Sequence, residues 1–402
     1  MTVADSVLVL NAGSSSLKYS LVDAASGTAA GSGLVERIGE ETGVLTHHGP
    51  DGSTRAERPF PDHESALRAA LDAFAAWGPS LDEAGLSAVG HRVVHGGALF
   101  SAPTLIDDDV VAAVTDLVPL APLHNPANLR CIETARAVFD DLPQVAVFDT
   151  AFHQTLPPHA YTYALPSDWV EEMHIRRYGF HGTSYSFVTR SAADLLGRPV
   201  DGVNLVVLHL GNGASAAAVA GGRSVETSMG LSPLEGLVMG TRSGDVDPAL
   251  HAHLHRQHGW SLDQIDRSLN RDSGLKGISG HNDFREVSRL RDRGDARATL
   301  AFDVFCHRIR KYVGAYYAVL GSVDAVVFTA GVGENSPAAR AASVSGLERL
   351  GIAVDPVRNE APDRGARFVS PEGSDVAVLV VPTNEEWEIA QQAMAVVREP
   401  AG

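Results

Sequence analysis

The sequence predicts an α/β protein built from two related halves. Short apolar runs typical of strands alternate along the chain with segments of helical periodicity, which is the pattern of α/β folds. A hairpin pattern also occurs twice, once over residues 7–22 with its turn at 11–16 and again over 205–220 with its turn at 211–213. Both turns carry glycine and small polar residues, so the two hairpins indicate a duplicated unit.

Strand–helix units follow the first hairpin. Asn125 followed by Pro126 predicts a helix start with Asn125 as the N-cap, and apolar residues continue at helical spacing to 139. Residues 145–148 form a short apolar run that ends at Asp149, as expected for a buried strand.

The second half repeats this alternation. We expect a helix over 300–320, a strand over 323–329, a turn over 330–336, and a new helix that begins at Pro337. The last strand is predicted at 376–381 and the last helix at 385–397.

The domain boundary is predicted near residue 150. A first domain would cover residues 1–150 and a second would cover 151–384, with a C-terminal helix at 385–402 that packs back on the first domain. A chain of 402 residues, 44% of them hydrophobic, is long enough to bury the cores of two domains.

Charge and cysteine content limit the partners and the compartment. The net charge of -17 argues against nucleic acid or an anionic membrane as a partner. Lysine occurs only at Lys18, Lys276 and Lys311, so the basic residues are mostly arginines, which either serve bidentate contacts to anions or follow genomic composition. The cysteines Cys131 and Cys306 are expected to be buried free thiols, which together with the lack of a signal segment predicts a cytoplasmic protein.

Phosphate binding is indicated by glycine-rich turns and not by a Walker A motif. None of the three lysines follows glycine, so no P-loop is present. Glycine- and serine-rich turns at 11–16, 209–213 and 330–335 each follow an apolar strand, where backbone N–H groups can bind oxyanions. One such turn alone would be an ordinary hairpin. The turn at 331–335 also lacks the third glycine of a dinucleotide fingerprint.

Histidine and arginine clusters are further candidates for a ligand-binding site. Arg92 lies between His91 and His95, beside two glycines; the alternative interpretation is a surface ion pair at a strand start. His124 precedes a helix N-terminus, where it could contact an anion or serve as a structural cap.

Further candidates lie in turns and at strand ends. His181 stands between two glycines just before a helix, and Arg242 lies in a polar loop, although either could belong to an ordinary turn. Asp149 and Glu385 come at or just past the C-terminal ends of apolar strands, the edge where open α/β sheets bind ligands, although carboxylates there are often helix caps.

A histidine-based metal cage is not indicated. His251, His253 and His255 are spaced by two residues, and on a helix such residues point away from each other, which favours a solvated face.

Taken together, six motifs resemble the acetate kinase family. They are the segments 11–18, 91–97, 180–184, 209–213, 240–245 and 331–335. They occur in order over nearly the whole chain. The family is grouped with sugar kinases, heat-shock ATPases and actin, so the resemblance implies two duplicated ribonuclease-H-like (actin-like ATPase) domains with a central cleft, the second of which binds the nucleotide.

The resemblance also implies roles for single residues. The catalytic group would be Asp149, Arg92, His181 and Arg242. Arg92 would hold the acetate carboxylate, and a pocket for the methyl group would be formed by Val94, Leu123, Phe180 and Pro233. The metal would be placed by Asn11 and Glu385. ATP would be bound by Lys18, Ser14, Ser16, His209, Leu210, Gly211, Asn212, Gly213, Asp283, Phe284, Arg285, Gly331, Val332, Gly333, Glu334 and Asn335.

The implied activity is a reversible, Mg²⁺-dependent phosphoryl transfer from ATP to acetate that yields acetyl phosphate and ADP, with Mn²⁺ as an alternative cation. A carboxylate is already ionised at neutral pH and needs no base, so catalysis would consist of positioning and charge stabilisation of an in-line transfer. The resemblance further implies a homodimer. The alternatives are a propionate or butyrate kinase, since one methylene changes binding by only about 1–3 kcal/mol, and a non-catalytic nucleotide-binding protein of the actin-like fold.

Overall fold

The computed structural model describes residues 5–50, 52–81 and 84–398. The chain divides into two compact units, the first made of Met1–Phe152 with Asn384–Gly402 and the second of His153–Thr383. Residues 1–4 of the predicted first domain and residues 399–402 of the predicted C-terminal helix lie outside the described residues.

Helices form the longer connections between strands. In chain order they are α1 (His63–Trp77), α2 (Asp108–Asp116), α3 (Asn125–Val138), α4 (Pro158–Tyr161), α5 (Ser167–Glu171), α6 (Gly182–Leu196), α7 (Ala249–His258), α8 (Leu262–Arg271), α9 (Gly274–Ser279), α10 (Phe284–Asp292), α11 (Ala296–Leu320), α12 (Ala330–Asn335), α13 (Pro337–Val344), α14 (Pro356–Glu360) and α15 (Glu385–Arg398). Short 3₁₀ helices occur at Val118–Leu120, Ala151–Thr155, Val200–Gly202 and Glu348–Leu350. None of the helices within the described ranges combines the length and the apolarity that crossing a bilayer requires.

The first unit contains a mixed sheet. Its strands are β1 (Ser6–Ala12), β2 (Ser16–Asp23), β3 (Ala29–Glu36), β4 (Gly43–Gly49), β5 (Gly52–Arg58), β6 (Leu86–Val93), β7 (Thr104–Leu105) and β8 (Gln144–Phe148). Their order in the sheet is β5-β4-β3-β2-β1-β6-β8-β7. Strands β1 and β2 pair antiparallel, which confirms the first predicted hairpin, whereas β1, β6 and β8 are parallel.

Strand β1 is buried on both faces because helices cover both sides of the sheet. Leu8 and Leu10 belong to the apolar cluster formed with α1 and α3. Val7 and Val9 belong to a second cluster, formed with the C-terminal helix α15. The alternation follows from the two-residue repeat of a strand, and a strand covered on both sides is therefore apolar throughout.

The second unit repeats this topology. Its strands are β9 (Asn204–Leu210), β10 (Ala214–Ala220), β11 (Arg223–Thr227), β12 (Ala325–Thr329), β13 (Arg367–Phe368) and β14 (Ala377–Val380), in the sheet order β11-β10-β9-β12-β14-β13. The antiparallel β9–β10 pair confirms the second predicted hairpin. In both sheets an antiparallel meander, of five strands in the first unit and three in the second, is followed by two parallel strands and an antiparallel edge strand. The two units thus share the duplicated actin-like architecture.

Two local predictions were wrong. Helix α3 begins at Asn125, so His124 holds the N-cap position, and the Asn125 amide instead pairs with the backbone of His95, accepting at 3.2 Å and donating at 3.1 Å. Most of the predicted turn at 330–336 is the short helix α12, and its carbonyls at Gly333 and Glu334 accept hydrogen bonds from the side chain of Arg340, which lies on the next helix, α13.

The predicted strands and helices of the second half are otherwise confirmed. The helix expected at 300–320 is α11, which begins earlier because Asp295 caps it by accepting from the Ala298 N–H at 2.8 Å. The last strand and the last helix correspond to β14 and α15.

The contact of α15 with the sheet can be tested by truncating Ile389. This side chain is completely buried, and a side chain at Gly90 of β6 would collide with it. We expect Ile389→Ala to lower the free energy of unfolding by about 2–5 kcal/mol, because a cavity would remain in a close-packed interface. Urea unfolding followed by tryptophan fluorescence measures this change. Ala395→Ser, at an exposed position of the same helix, is the control and should change stability by less than about 0.5 kcal/mol.

Candidate active site

A charged cluster lies at one edge of the first sheet. Arg92 is the second-last residue of β6, Asn11 lies opposite it near the end of β1, and Asp149 directly follows β8. Arg92 donates to both carboxylate oxygens of Asp149, from Nε at 3.0 Å and from Nη2 at 2.5 Å, and from Nη1 to Asn11 Oδ1 at 3.1 Å. Because the three strands are parallel, their C-terminal ends bring these side chains together, at the edge where α/β sheets bind ligands.

The cluster is not the surface ion pair that was the alternative interpretation of Arg92. The side chain of Asp149 is only 2% exposed and that of Arg92 is 20% exposed. Three of the five guanidinium N–H groups are engaged by these contacts, so within the described residues two remain for a further acceptor. A carboxylate ligand could therefore bind Arg92 without displacing Asp149.

The pKa shifts of the cluster show how its charges interact. Burial lowers the pKa of Arg92, but the carboxylates of Asp149 and Glu385 outweigh it and raise the pKa above its usual value. Burial raises the pKa of Glu385; Arg92 opposes this, while the negative charges of Asp149 and Glu386 add to it. A cation at this position would relieve the repulsion among these carboxylates.

The other predicted residues of the first unit lie in different surroundings. Ser14 is exposed in the β1–β2 turn, Ser16 begins β2, and Lys18 forms an ion pair with Glu386 of α15. Val94 is buried and donates its backbone N–H to Asn128 Oδ1 at 3.1 Å. Leu123 is 47% exposed.

In the second unit, His181 and His209 are stacked. Their ring centroids are 4.2 Å apart and the planes differ by 15°. His181 is the N-cap residue of α6, with φ 59° and ψ 24°, as predicted for a residue immediately before a helix. Each ring has its Nδ1 2.8 Å from a serine Oγ, which belongs to Ser215 for His181 and to Ser184 for His209.

Arg242 lies beside His181 at the Gly213 turn. A Cβ placed on Gly213 would lie 3.5 Å from His181 Nε2 and 3.6 Å from Arg242 Nη1. Arg242 donates to the Pro233 carbonyl at 3.2 Å, and no carboxylate among residues 5–50, 52–81 and 84–398 forms an ion pair with it. Burial lowers its pKa. Within the described residues, the turn therefore has a positive charge without a carboxylate counterion, an arrangement that suits an anion.

The two predicted pocket residues of this unit differ in exposure. Phe180 is buried, and its carbonyl lies 3.0 Å from His153 Nε2, whereas Pro233 is half-buried. The structure thus places Val94 and Leu123 in the first unit and Phe180 and Pro233 in the second.

The second unit also contains a cavity of about 860 Å³. Eight of the residues predicted to bind ATP line it, namely Gly211, Asn212, Asp283, Phe284, Arg285, Gly331, Val332 and Asn335. Its size fits the 300–1,000 Å³ of small-molecule sites. The hairpin turn after β9, the helix α12 that follows β12, and the start of α10 thus bring three separate segments of the sequence to one cavity.

Five predicted residues of these segments do not line the cavity: His209, Leu210, Gly213, Gly333 and Glu334. Leu210 is completely buried in β9. The Glu334 carboxylate accepts from the Thr383 N–H at 3.1 Å, and burial raises its pKa.

Some lining residues were missed by the sequence analysis. They are Leu275, Asn282, Ser288, Arg291, Asp292, Ser336, Pro337 and Ala338. Ser288 and Arg291 follow Arg285 at intervals of three residues on α10, so the helical repeat could have revealed them. Leu275 could not have been found in this way, because it is not part of any segment that was predicted to bind ATP.

A protein-only metal cage is not present in the part of the chain that the structure describes. His251, His253 and His255 lie on α7, which buries none of its residues. Cys131 and Cys306 are buried free thiols.

Arg340 on α13 is a residue with a clear role that the sequence analysis missed. Its side chain is completely buried and donates to the carbonyls of Gly333 and Glu334, both at 2.9 Å. It also donates at 2.7 Å to the side chain and to the carbonyl of Asn359. Burial lowers the pKa of Arg340 to about 10, with a smaller effect of Arg367 in the same direction. The guanidinium thereby satisfies the carbonyls at the end of α12, the helix whose other residues line the cavity.

Comparisons with known proteins indicate one family over nearly the whole chain. The model of the acetokinase family matches residues 6–391. A protein of Leifsonia xyli subsp. xyli named acetate kinase is 58% identical over 97% of this chain and 98% of its own length. One of Streptomyces coelicolor with the same name is 59% identical over 98% and 97%.

Solved structures agree as well. The crystal structure of Porphyromonas gingivalis acetate kinase superposes with a TM-score of 0.93 at 42% identity, covering 98% of this chain and all (100%) of the other. A propionate kinase from Francisella tularensis superposes with a TM-score of 0.91 at 40% identity, covering 96% and 98%.

The role of Arg340 can be tested with Arg340→Met. Methionine fills part of the space but removes the donor from four acceptors, the carbonyls of Gly333, Glu334 and Asn359 and the side-chain oxygen of Asn359. Each group left buried without a partner should cost about 1–3 kcal/mol. We expect a lower midpoint of urea unfolding and, if α12 contacts the adenosine as the resemblance implies, a several-fold weaker affinity for ADP by calorimetry. Arg358→Met, which removes an exposed arginine paired with Glu372, is the control. An unchanged ADP affinity in Arg340→Met would remove the link between Arg340 and the nucleotide.

Proposed function

The chain belongs to the acetokinase family of phosphotransferases, and we propose that it acts as an acetate kinase, moving a phosphoryl group reversibly between ATP and acetate. The observation that supports this proposal most strongly is the arrangement of side chains at the Gly213 turn in the second unit. Arg242, without a carboxylate partner among the described residues, and the Nε2 of His181 point at the same volume beside this glycine. Two donors aimed at one volume suit a phosphoryl group in transfer, whose charge is spread over its equatorial oxygens.

The carboxylate side of the reaction is assigned to Arg92. Acetate is ionised at neutral pH and is already a nucleophile, so the protein need only hold it and does not need to deprotonate it. The two unengaged N–H groups of Arg92 suit a small carboxylate. The Asp149 carboxylate fixes the guanidinium by its two hydrogen bonds, which keeps those N–H groups in one orientation.

The predicted metal residues fit Mg²⁺. Asn11 contributes an amide oxygen and Glu385 a carboxylate whose charge is disfavoured by burial and by its neighbours. Mg²⁺ is usually held by one or two protein oxygens together with phosphates, and not by a complete protein cage. When bound, Mg²⁺ or Mn²⁺ would neutralise phosphate charge. The roles of Val94, Leu123, Phe180 and Pro233 toward the methyl group, and of Lys18, Ser14 and Ser16 toward phosphates, remain predictions from the resemblance.

Acetate is favoured over propionate by the comparisons. The relatives named acetate kinase reach 58–59% identity, whereas the propionate kinase structure is 40% identical. We also propose that the chain works in the cytoplasm, which its two buried free thiols support, and that it forms a homodimer, which rests on the family resemblance.

The substrate is tested by measuring ADP formation from Mg-ATP with no acid, acetate, propionate or butyrate, and by trapping the acyl phosphate with hydroxylamine. We expect acid-dependent turnover with the highest kcat/KM for acetate, because a pocket sized for one methyl group loses binding energy with each added methylene. A higher kcat/KM for propionate would make the chain a propionate kinase. A rate of ADP formation that is the same with and without a carboxylic acid would contradict the proposal.

The role of Arg242 is tested by Arg242→Ala. Loss of a guanidinium that stabilises the transferring group should lower kcat on the order of 10³-fold. Steady-state kinetics of acetyl phosphate formation measures this loss. Arg256→Ala, which removes an exposed arginine of α7, serves as the matched control and should leave kcat unchanged. Near-normal kinetics in Arg242→Ala would exclude the residue from the mechanism.

A further inference from the structure

Two hydroxyl groups that have no role in the proposed function lie behind His181. Ser215 on β10 has its Oγ 2.8 Å from His181 Nδ1, and Tyr185 on α6 has its hydroxyl 2.6 Å from the same Oγ. Both side chains are completely buried. A row of three groups therefore runs from Tyr185 through Ser215 to the ring nitrogen of His181 that does not face Gly213.

The protons of this row can be arranged in two ways. Ser215 has a single O–H, and its hydroxyl has no third partner among the described residues, so it donates to one neighbour and accepts from the other. Either Tyr185 donates to Ser215 and Ser215 donates to His181 Nδ1, or both hydrogen bonds run in the opposite direction. Phenol is a stronger acid than an aliphatic alcohol, and imidazole nitrogen is the strongest base of the three. The first arrangement therefore pairs the best donor with the best acceptor at the two ends of the row.

The backbone of His209 supports the same direction. It forms a hydrogen bond with the Tyr185 oxygen that favours the phenolate, although burial dominates and raises the pKa of Tyr185. A backbone group that favours a phenolate is an N–H donor, so the Tyr185 oxygen acts as an acceptor there. Its own proton is then directed to Ser215.

We propose that Ser215 and Tyr185 are positioning residues that hold His181 as the neutral imidazole with its proton on Nε2. The inference rests on the proposed function in one respect, since it makes His181 a hydrogen-bond donor to the transferring phosphoryl group, beside Arg242. In the opposite tautomer Nε2 would be a lone-pair acceptor and would repel the phosphoryl oxygens. The serine and the tyrosine thus determine whether the residue beside Gly213 attracts or repels an anion.

The backbone of His181 shows that the orientation of this ring is tightly constrained. Its φ of 59° lies in the left-handed region, which is uncommon for a residue with a side chain. Such conformations persist where the surroundings over-determine them, and they concentrate at functional sites. Here the stack with His209 sets the plane of the ring, and the hydrogen bond with Ser215 sets its rotation in that plane.

The tautomer can be observed directly in the resting protein. Long-range ¹H–¹⁵N correlation spectra of the full chain labelled with ¹⁵N-histidine identify the protonated nitrogen, and His181→Gln assigns the signals. We expect the proton on Nε2 at pH 7, and a redistribution toward Nδ1 in Ser215→Ala. A proton on Nδ1, or on both nitrogens, in the wild-type protein would overturn the proposal. This measurement needs no turnover, so its outcome is separate from that of the carboxylate assay.

Kinetics test the functional consequence. Ser215→Ala should lower kcat by about 10- to 100-fold, as loss of a group that orients a functional imidazole does elsewhere, with little change in the KM values. Tyr185→Phe should lower kcat less, and it should add nothing in the Ser215→Ala background because Tyr185 acts through Ser215. Independent, multiplying losses, or a wild-type kcat in Ser215→Ala, would contradict the proposal.

A matched control lies on the same helix as Tyr185. Thr189 of α6 is buried, and its hydroxyl has no hydrogen-bond partner among the described residues. Thr189→Val removes a buried hydroxyl of the same helix without touching the row, and it should keep the wild-type kcat and the Nε2 proton. If Ser215→Ala does not fold, the wild-type spectrum and Tyr185→Phe still decide the matter.

Discussion

Arg92 and Asp149 form a buried ion pair on which the arrangement of the first unit depends. Removing two charges from water is costly, and the cost is offset only when the geometry is good and the remaining hydrogen-bonding groups are satisfied. The geometry is good, because Arg92 binds Asp149 through two parallel hydrogen bonds and Asn11 through a third. The cost is also reduced because the Arg92 side chain keeps 20% of its surface exposed, so its charge is only partly removed from water. The three residues can meet because β1, β6 and β8 are parallel neighbours that end at one edge of the sheet.

The second unit handles charge in the opposite way. Arg242 lies beside Gly213 without a carboxylate partner among the described residues, and burial lowers its pKa, so its charge is poorly compensated in the protein alone. An arginine in such surroundings gains from an anionic ligand what Arg92 gains from Asp149. Under the proposed function, this difference would suit the first unit to a group that must be held in place and the second to a group whose charge changes during the reaction.

The duplicated topology connects these two sites. Each sheet begins with an antiparallel meander whose first turn lies at the C-terminal end of the first strand, and each continues with two parallel strands. The hairpin turns at 13–15 and 211–213 thus occupy equivalent places. Segments that follow the meander make the two units different. In the first unit, Arg92 and Asp149 form an ion pair at the edge of the sheet. In the second unit, residues of α10 and α12 line a cavity.

Two predictions from the local sequence were wrong because of hydrogen bonds to residues outside the segment concerned. Asn125 looked like a helix cap because it precedes proline, yet its amide is used by the backbone of His95, which is distant in sequence. The segment 330–336 looked like a turn because it is rich in glycine, yet it is helical where the buried Arg340 satisfies its carbonyls. In both cases a hydrogen bond to a residue outside the segment overrode a local preference. His95 is 30 positions from Asn125, and Arg340 lies on the helix that follows α12.

The sequence by itself determined the fold class, the duplicated hairpins, the approximate bounds of the main strands and helices, and the family, because these depend on local periodicity and on motifs that are contiguous in the chain. The tertiary structure alone decided which of the predicted residues share a cavity, and it left Leu210, Gly333 and Glu334 outside it. It also decided that Arg92 keeps two N–H groups without a partner in the part of the chain that the structure describes, and that Tyr185 and Ser215 lie behind His181. These features depend on distances between residues far apart in the sequence, which are set only when the sheets and helices pack.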